Sequence, residues 1–180
     1  MDGGAVSKPD DLTFWSFIER ANATLRSTYG YEHQLATELA LTLNRASTVM
    51  TYDFEAAVHR PRGWSWSSFR LLFVTWLAGP IEPARAAQVA GMSRAAVSNL
   101  SKSLVADGLL DRTPDDLDGR SARFSLTPHG HDAMVDVFAA QNERERAWAG
   151  ALSEPEQHTL IALLNKLITD RSEIDVRTRR

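Results

Sequence analysis

The sequence predicts a mainly α-helical protein with one small β-hairpin. Through most of its 180 residues, apolar side chains recur at intervals of three and four, which is the spacing of one face of a helix. Residues 122–126 instead alternate apolar and polar side chains, as a half-buried strand does. Glycine and proline interrupt the apolar pattern at Gly30, Gly63, Gly79 and Gly108. With the further turns along the chain, these breaks predict seven helices and the hairpin.

Three helices are predicted in the first half of the chain. The first is capped by Asp10 or Asp11 and runs to about Tyr29, and the second runs from about 32 to 58. The third begins after an N-cap at Ser65 and ends at Gly79. Its predicted inward side chains are Leu72, Phe73, Trp76 and Leu77.

Residues 83–106 are predicted to form two helices joined by a tight turn. Pro83 suits the first position of a helix. Gly91 can adopt the positive φ that closes this helix, and Met92 supplies an apolar plug for the turn. Ser93 is a favoured N-cap for the next helix. This order of residues is typical of a helix-turn-helix.

The second of these helices has one polar face of short or hydrogen-bonding side chains. Val97, Leu100, Leu104 and Val105 are its predicted inward side chains. The candidate DNA-contacting residues are Ser93, Arg94, Ala95, Ser98, Asn99 and Lys102. Arginine and asparagine suit guanine and adenine edges in the major groove. An ordinary solvated face of an amphipathic helix is the alternative explanation.

A β-hairpin follows this helix. Residues 109–113 form its first predicted strand and residues 122–126 its second, with a polar connection between them. Asp118 is expected to anchor the loop by pairing with Arg112 or Arg123, which leaves Arg120 at the tip to reach the minor groove. Ser121 and Arg123 are further candidate DNA contacts on this wing.

In order, these motifs resemble the MarR family of winged-helix repressors. The matching residues are Gly91-Met92-Ser93 with Val97, the pattern L-x-x-x-G-L-L-x-R over 104–112, D-x-R at 118–120, and L-T-P-x-G over 126–130. The resemblance implies a winged helix-turn-helix domain over 63–126. It also implies dimerisation helices over 10–62 and 127–170, between an arm at 1–9 expected to be disordered and a charged tail at 171–180.

The resemblance also implies a two-fold dimer on a palindromic DNA operator. The apolar faces of the terminal helices exceed what one small winged domain can cover, which favours a homodimer, although packing within one chain is the alternative. Members often hold a small aromatic effector between the dimer helices and the DNA-binding lobe. The candidate pocket residues here are Trp15, His59, Arg60, Trp64, Trp66, Phe69, Phe73 and Trp76. A phenolic or aryl carboxylic acid is the preferred effector, although such aromatic residues are more often plain core.

Composition narrows the class of protein. The net charge of −3 does not suit a nonspecific nucleic-acid coat, so any positive surface must be local. The chain has no cysteine, which excludes disulfides and thiolate metal sites. No apolar run is long enough to span a membrane and no signal peptide is visible, so a cytoplasmic protein is expected.

No enzyme motif is present, and neither a cofactor nor a metal is expected. The sequence contains no glycine-rich phosphate loop, G-x-S-x-G or H-E-x-x-H. His129 and His131 are two positions apart at a helix start and do not share a face, which disfavours a metal site. The remaining alternatives are a winged-helix module that binds another protein, and a DNA binder without a small-molecule effector.

Overall fold

The computed structural model describes residues 13–114 and 122–169, which form two compact units divided between residues 51 and 52. The first unit contains α1 (Phe14–Tyr29) and most of α2 (Gln34–Phe54). The second contains the end of α2, five further helices and the β-hairpin. None of the helices in the described ranges combines the length and the apolar character that a membrane span needs.

In the first unit, α1 is closed at both ends by local hydrogen bonds. Thr13 is the N-cap and forms a capping box with Ser16, so the predicted cap at Asp10 or Asp11 is wrong. Gly30 ends the helix with a φ of 70°, as predicted, and its N–H donates to the Arg26 carbonyl. The Arg45 guanidinium of α2 lies 5.6 Å from the centre of the Phe14 ring.

Helical structure after α2 changes its pitch instead of stopping. A π-helical turn (Glu55–His59) and a 3₁₀ turn (Arg60–Arg62) follow α2 directly, where the sequence predicted one helix ending at 58. Gly63 then takes a φ of 74° and ends the segment. A π turn adds a residue to the helical repeat and rotates the side chains that follow. Here Val58 and His59 are both fully buried.

Helix α3 (Trp66–Ala78) runs through the centre of the second unit. Ser65 caps it as predicted, accepting a hydrogen bond from the Ser68 N–H at 3.0 Å. The prediction for Leu77 is wrong, because this side chain is 65% exposed. Leu71 and Thr75 are buried instead of it, on the same face as Leu72.

The second unit continues with α4 (Pro83–Val89), α5 (Arg94–Ala106), β1 (Leu110–Pro114) and β2 (Ala122–Leu126). The strands are antiparallel, with Leu110 opposite Leu126 and Arg112 opposite Phe124. Ile81 extends this sheet by an antiparallel bridge to Phe124. The predicted inward position of Val105 on α5 is wrong, since it is 41% exposed.

Helices α6 (Pro128–Ala149) and α7 (Glu154–Thr169) complete the described chain. Thr127 caps α6, and Glu156 accepts hydrogen bonds from the Ser153 N–H and hydroxyl at the start of α7. Met134 and Val137 bring α6 into the core of the second unit. That core also contains residues of α3, α4, α5 and both strands.

Candidate nucleic-acid interface

The turn between α4 and α5 has the geometry that the sequence predicts. Gly91 has a φ of 63°, and the Met92 side chain is buried in the core. The Met92 N–H donates to the Ala87 carbonyl at 2.8 Å, which closes the turn. Ser93 accepts a hydrogen bond from the Ala96 N–H at 3.1 Å and so begins α5. These local contacts fix the direction in which α5 leaves the turn.

The turn has a second support, which comes from α3. Arg70 on α3 donates a hydrogen bond from Nη1 to the Ala90 carbonyl at 3.0 Å. This guanidinium therefore satisfies a free carbonyl at the end of α4, where a positive charge also suits the helix dipole. Arg70 lies 20 residues before Ala90, so no local pattern could reveal the contact.

One face of α5 is solvent-exposed and polar. Val97 and Leu104 anchor the opposite face in the core. The predicted contact residues on the free face are all exposed apart from the half-buried cap Ser93. They are Arg94, Ala95, Ser98, Asn99 and Lys102. Val105, three residues after Lys102, is the exposed apolar side chain near the end of this face. The polar residues before it can enter a major groove.

The wing strands are described, but the tip between them is not. Asp118, Arg120 and Ser121 lie outside the described residues, and so does the anchoring role predicted for Asp118. Arg123 is half-buried on β2, and Arg112 is exposed on β1. Phe124 is fully buried and joins the hairpin to the core.

The start of α6 fixes the base of the wing. The Thr127 hydroxyl donates to the Gly108 carbonyl at 2.6 Å and accepts from the Gly130 N–H at 2.8 Å. The Thr127 N–H also donates to the Leu109 carbonyl at 3.2 Å. These bonds join α6 to the residues that link α5 with β1.

Most of the predicted effector-pocket residues pack against one another. The Trp66, Phe69 and Phe73 rings form a stack, in which neighbouring ring centres are 5.6 and 5.5 Å apart. Trp76 continues the series at 6.3 Å from Phe73, and Phe138 of α6 packs on both. This packing supports the alternative that the aromatic cluster is core.

His59 belongs to the same cluster. Its imidazole is fully buried and stacks on the Phe69 ring at 4.6 Å, with the Gln141 Oε1 3.0 Å from Nε2. Burial lowers the pKa of His59 below its usual value, which favours the neutral ring. A neutral imidazole carries no positive charge with which to attract an anionic ligand.

The other predicted pocket residues are dispersed. The Arg60 guanidinium lies 5.4 Å from the centre of the Tyr52 ring, and Trp15, in the first unit, is 60% exposed beside Phe14. Trp64 lines a separate cavity of about 600 Å³ with Arg62. Its remaining polar lining is His129, Asp107, Asp132 and Asp136. Three carboxylates there oppose the binding of an aromatic acid.

An ion pair joins the end of α2 to α6 within the second unit. The Asp53 carboxylate accepts hydrogen bonds from Arg144 Nε at 2.7 Å and from the Trp148 indole at 2.8 Å. The hydrogen bond from Arg144 is the main cause that lowers the pKa of Asp53 to about 2. This contact fixes α6 to the segment that leads into the π turn.

The turn, the exposed polar face of α5 and the hairpin beside it together define a winged helix-turn-helix protein of the DNA-binding type. Comparison with known proteins agrees. The family model described as "MarR family" matches residues 63–121. The resemblance inferred from the sequence is confirmed over residues 63–121, and the chain is similar to transcription regulators of the MarR family.

Three similar proteins illustrate this relationship. The uncharacterized HTH-type transcriptional regulator YwaE of Bacillus subtilis (strain 168) is 26% identical over 132 residues, which are 73% of this chain and 77% of YwaE. A probable transcriptional regulator from Pseudomonas aeruginosa has 27% identity and a TM-score of 0.65, covering 74% of this chain and 98% of its own.

The third is BpsR of Bordetella bronchiseptica, whose structure concerns the regulation of DNA binding by 6-hydroxynicotinic acid. It has 19% identity and a TM-score of 0.69, and covers 77% of this chain and 97% of its own. At that identity it supports the fold alone. The matched family and relatives are transcription regulators, which agrees with the prediction that the protein is not an enzyme.

Proposed function

We propose that this protein is a transcription repressor that binds a palindromic DNA operator as a homodimer and is released by a small aromatic acid. The observation that best supports the DNA-binding surface is the exposed face of α5, which presents Arg94, Ser98, Asn99 and Lys102 to solvent. Within this surface Asn99 is the best candidate for reading an adenine, because its amide can donate and accept at one base edge.

The proposed dimer uses the terminal helices. On α7, Ile161 and Leu163 are more than half exposed, and in the first unit Leu35 is 81% exposed. Clusters of exposed large apolar side chains mark interaction surfaces in proteins. A two-fold dimer would place two α5 helices in successive major grooves, about 34–36 Å apart, and a palindromic site matches that symmetry.

The proposed aromatic-acid effector is supported by a protein of similar fold. BpsR provides a precedent for a regulator of this fold whose DNA binding responds to an aryl carboxylic acid. In this chain the predicted aromatic residues are largely packed together, and the cavity beside Trp64 has an acidic rim. An aromatic acid would therefore have to bind elsewhere, such as at the proposed dimer interface.

The experiment is a selection of genomic DNA fragments by the purified protein, followed by binding measurements on the recovered site. We expect a palindromic site, and we expect 6-hydroxynicotinic acid or benzoic acid at millimolar concentration to weaken its binding. If neither acid weakens binding to the site, the proposal of an aromatic-acid effector is contradicted. The protein would then be a DNA binder without a small-molecule effector. A protein that selects no fragment would contradict the proposal as a whole.

The alternative is a winged-helix module that binds another protein through the same face. Salt dependence separates the two functions, because DNA binding releases counterions and weakens steeply as salt rises. An apolar docking surface would show no such dependence. The polar, cationic composition of the exposed α5 face favours DNA.

A further inference from the structure

A fully buried histidine lies where the end of α2 meets α3 and α6. His59 and Gln141 are both 0% exposed, and the Oε1 atom of Gln141 lies 3.0 Å from Nε2 of His59. We infer that His59 is a pH switch for the linking segment, which is defined as residues 55–63. The neutral ring holds this segment against α3 and α6, and protonation of the ring in weak acid releases it.

The hydrogen bonds of Gln141 determine which ring nitrogen carries the proton at neutral pH. The Nε2 atom of Gln141 donates to Glu145 Oε1 at 3.0 Å, so the amide oxygen is the atom that faces His59. An amide oxygen only accepts, and Nε2 of His59 is therefore the donor. In the neutral ring Nδ1 is then an unprotonated acceptor. This atom is buried and has no hydrogen-bond partner in the part of the chain that the structure describes.

The surroundings of Nδ1 suit a neutral ring and not an imidazolium. Trp66 and Phe69 of α3 stack on the imidazole of His59, with ring centres 5.6 and 4.6 Å from its centre. Protonation would make Nδ1 a buried donor without an acceptor, and would place a positive charge where water cannot reach it. The attraction of a cation to an aromatic face offsets only part of this cost.

Among the described residues, the charged groups near the imidazole do not supply an acceptor for Nδ1. Glu55 on the π turn favours the protonated ring, whereas Arg62 on the following 3₁₀ turn opposes it. On α6, Glu145 is hydrogen-bonded to the amide of Gln141. The carboxylate of Asp53 at the end of α2 is paired with an arginine of α6. Burial therefore has the largest effect on the pKa of the imidazole, and it lowers that pKa below its usual value.

The linking segment has irregular helical hydrogen bonding. It consists of the π turn, the 3₁₀ turn and Gly63, which ends it with a φ of 74°. Turns of both types are frequent at functional sites and hinges of helices. The Trp64 N–H donates to the carbonyl of His59 at 3.0 Å, so the protection of this amide reports whether the segment is closed. We expect the segment to open in weak acid while α4 and α5 stay folded.

The direction of the pH effect follows from where each state binds the proton. An exposed histidine takes up a proton as pH falls through about 6.5, whereas the closed state takes it up only at lower pH. The stabilisation of the closed segment is therefore complete above about pH 6.5 and is lost as pH falls below that value. One proton raises the equilibrium constant for opening by up to about tenfold per pH unit. Asp53 protonates in a lower range, since its pKa is about 2.

The switch is tested by hydrogen exchange of the full chain, measured by NMR between pH 7 and pH 5 and corrected for the intrinsic effect of pH on exchange. The Trp64 amide reports the linking segment. The Met92 amide, which donates to the Ala87 carbonyl, reports the turn between α4 and α5. From pH 6 to pH 5 we expect protection of the Trp64 amide to fall by about five- to tenfold, and that of the Met92 amide by less than about twofold.

Two variants show whether His59 is the titrating group. His59→Phe combined with Gln141→Leu replaces both partners of the hydrogen bond without leaving an unpaired buried amide, and should make Trp64 protection independent of pH in this range. Gln141→Glu places a carboxylate beside Nε2 and favours the protonated ring, so the loss of protection should be less than about twofold. His129→Gln removes an exposed imidazole of α6 and is the control, for which we expect the wild-type profile. Circular dichroism establishes that each variant is folded.

Three results would overturn the switch. Protection of the Trp64 amide that stays constant from pH 7 to pH 5 would show that the closed segment does not respond to protons. A parallel loss at Met92 would show that His59 is protonated only when the second unit unfolds as a whole. A loss that persists in the double variant would mean that another group titrates. None of these measurements uses DNA, so a failure of the proposed DNA binding would be distinguishable from a failure of the switch.

Discussion

Replacement of Gly130 by alanine tests how α6 is joined to the DNA-binding part of the chain. Gly130 is the third residue of α6, and helix propensity alone predicts that Gly130→Ala stabilises the protein by up to about 1 kcal/mol. The structure predicts the opposite sign. A Cβ at this position would lie 2.0 Å from the Leu109 carbonyl oxygen and 2.8 Å from the carbonyl carbon.

The magnitude follows from the movement that this clash requires. A carbon and a carbonyl oxygen approach each other to about 3.3 Å at closest. The start of α6 and the base of the wing must therefore separate by more than about 1 Å, a form of overpacking that costs about 1–3 kcal/mol. The separation also strains the two hydrogen bonds from Thr127 to Gly108 and Leu109, each worth about 1 kcal/mol. After the propensity gain, we expect a net loss of about 2–3 kcal/mol.

The assay is urea unfolding followed by circular dichroism at one fixed protein concentration, since a dimer makes stability depend on concentration. Gly150→Ala is the matched control. Its nearest contact would be the Arg146 carbonyl oxygen at 3.3 Å, and its φ of −64° suits any residue. We expect that control to stay within about 0.5 kcal/mol of the wild type. A Gly130→Ala protein as stable as the wild type would refute the close approach.

Three further predictions concern acid stability, assembly and base reading. Asp53→Asn should destabilise the protein at pH 7, and the difference from wild type should shrink as pH falls from about 4 towards about 2. Arg144 lowers the pKa of Asp53 to about 2 in the folded protein. The carboxylate therefore stabilises the fold fully above its unfolded pKa of about 3.9, and this stabilisation is lost as the folded carboxylate protonates. A difference in unfolding free energy that stays constant between pH 4 and pH 2 would contradict this. Leu163→Glu on α7 should convert a 40 kDa dimer to a 20 kDa monomer, as measured by light scattering. The control Lys166→Glu changes a charged residue of the same helix and should leave a larger fraction of the protein dimeric. A mass of 20 kDa for the wild-type protein at micromolar concentration would contradict the dimer. Asn99→Ala should reduce the free energy of binding to the operator by about 1–3 kcal/mol, and binding to unrelated DNA of equal length by less. Equal losses on both DNAs in a competition assay would show that Asn99 contacts a phosphate instead.

Local features of the sequence were sufficient to predict most of the helix-turn-helix. Ser93 and Ser65 are N-caps because each hydroxyl accepts a hydrogen bond from the free backbone N–H three residues later. This contact is local and does not depend on the rest of the fold. Gly91 and Gly30 end helices because both adopt a positive φ. The period of the apolar residues predicted α3 and α5 to within a few residues.

Periodicity was less successful at deciding which apolar residues are buried. Leu77 and Val105 continue the apolar pattern of their helices, but both are exposed. Thr75 is polar but fully buried. Its hydroxyl donates a hydrogen bond to the Leu71 carbonyl one turn earlier, which satisfies the buried polar group. Periodicity describes a face of a helix, whereas burial depends on which neighbouring element covers that face.

The sequence by itself determined the kind of protein, through the turn, the caps and the order of motifs that resemble the MarR family. Only the tertiary structure showed why Gly130 must be glycine and that Arg70 supports the turn. Caps and turns involve residues within a few positions of one another, so their chemistry is visible in a short stretch of sequence. Contacts between residues 20 and 21 positions apart depend on how whole helices and strands pack, which short-range patterns do not encode.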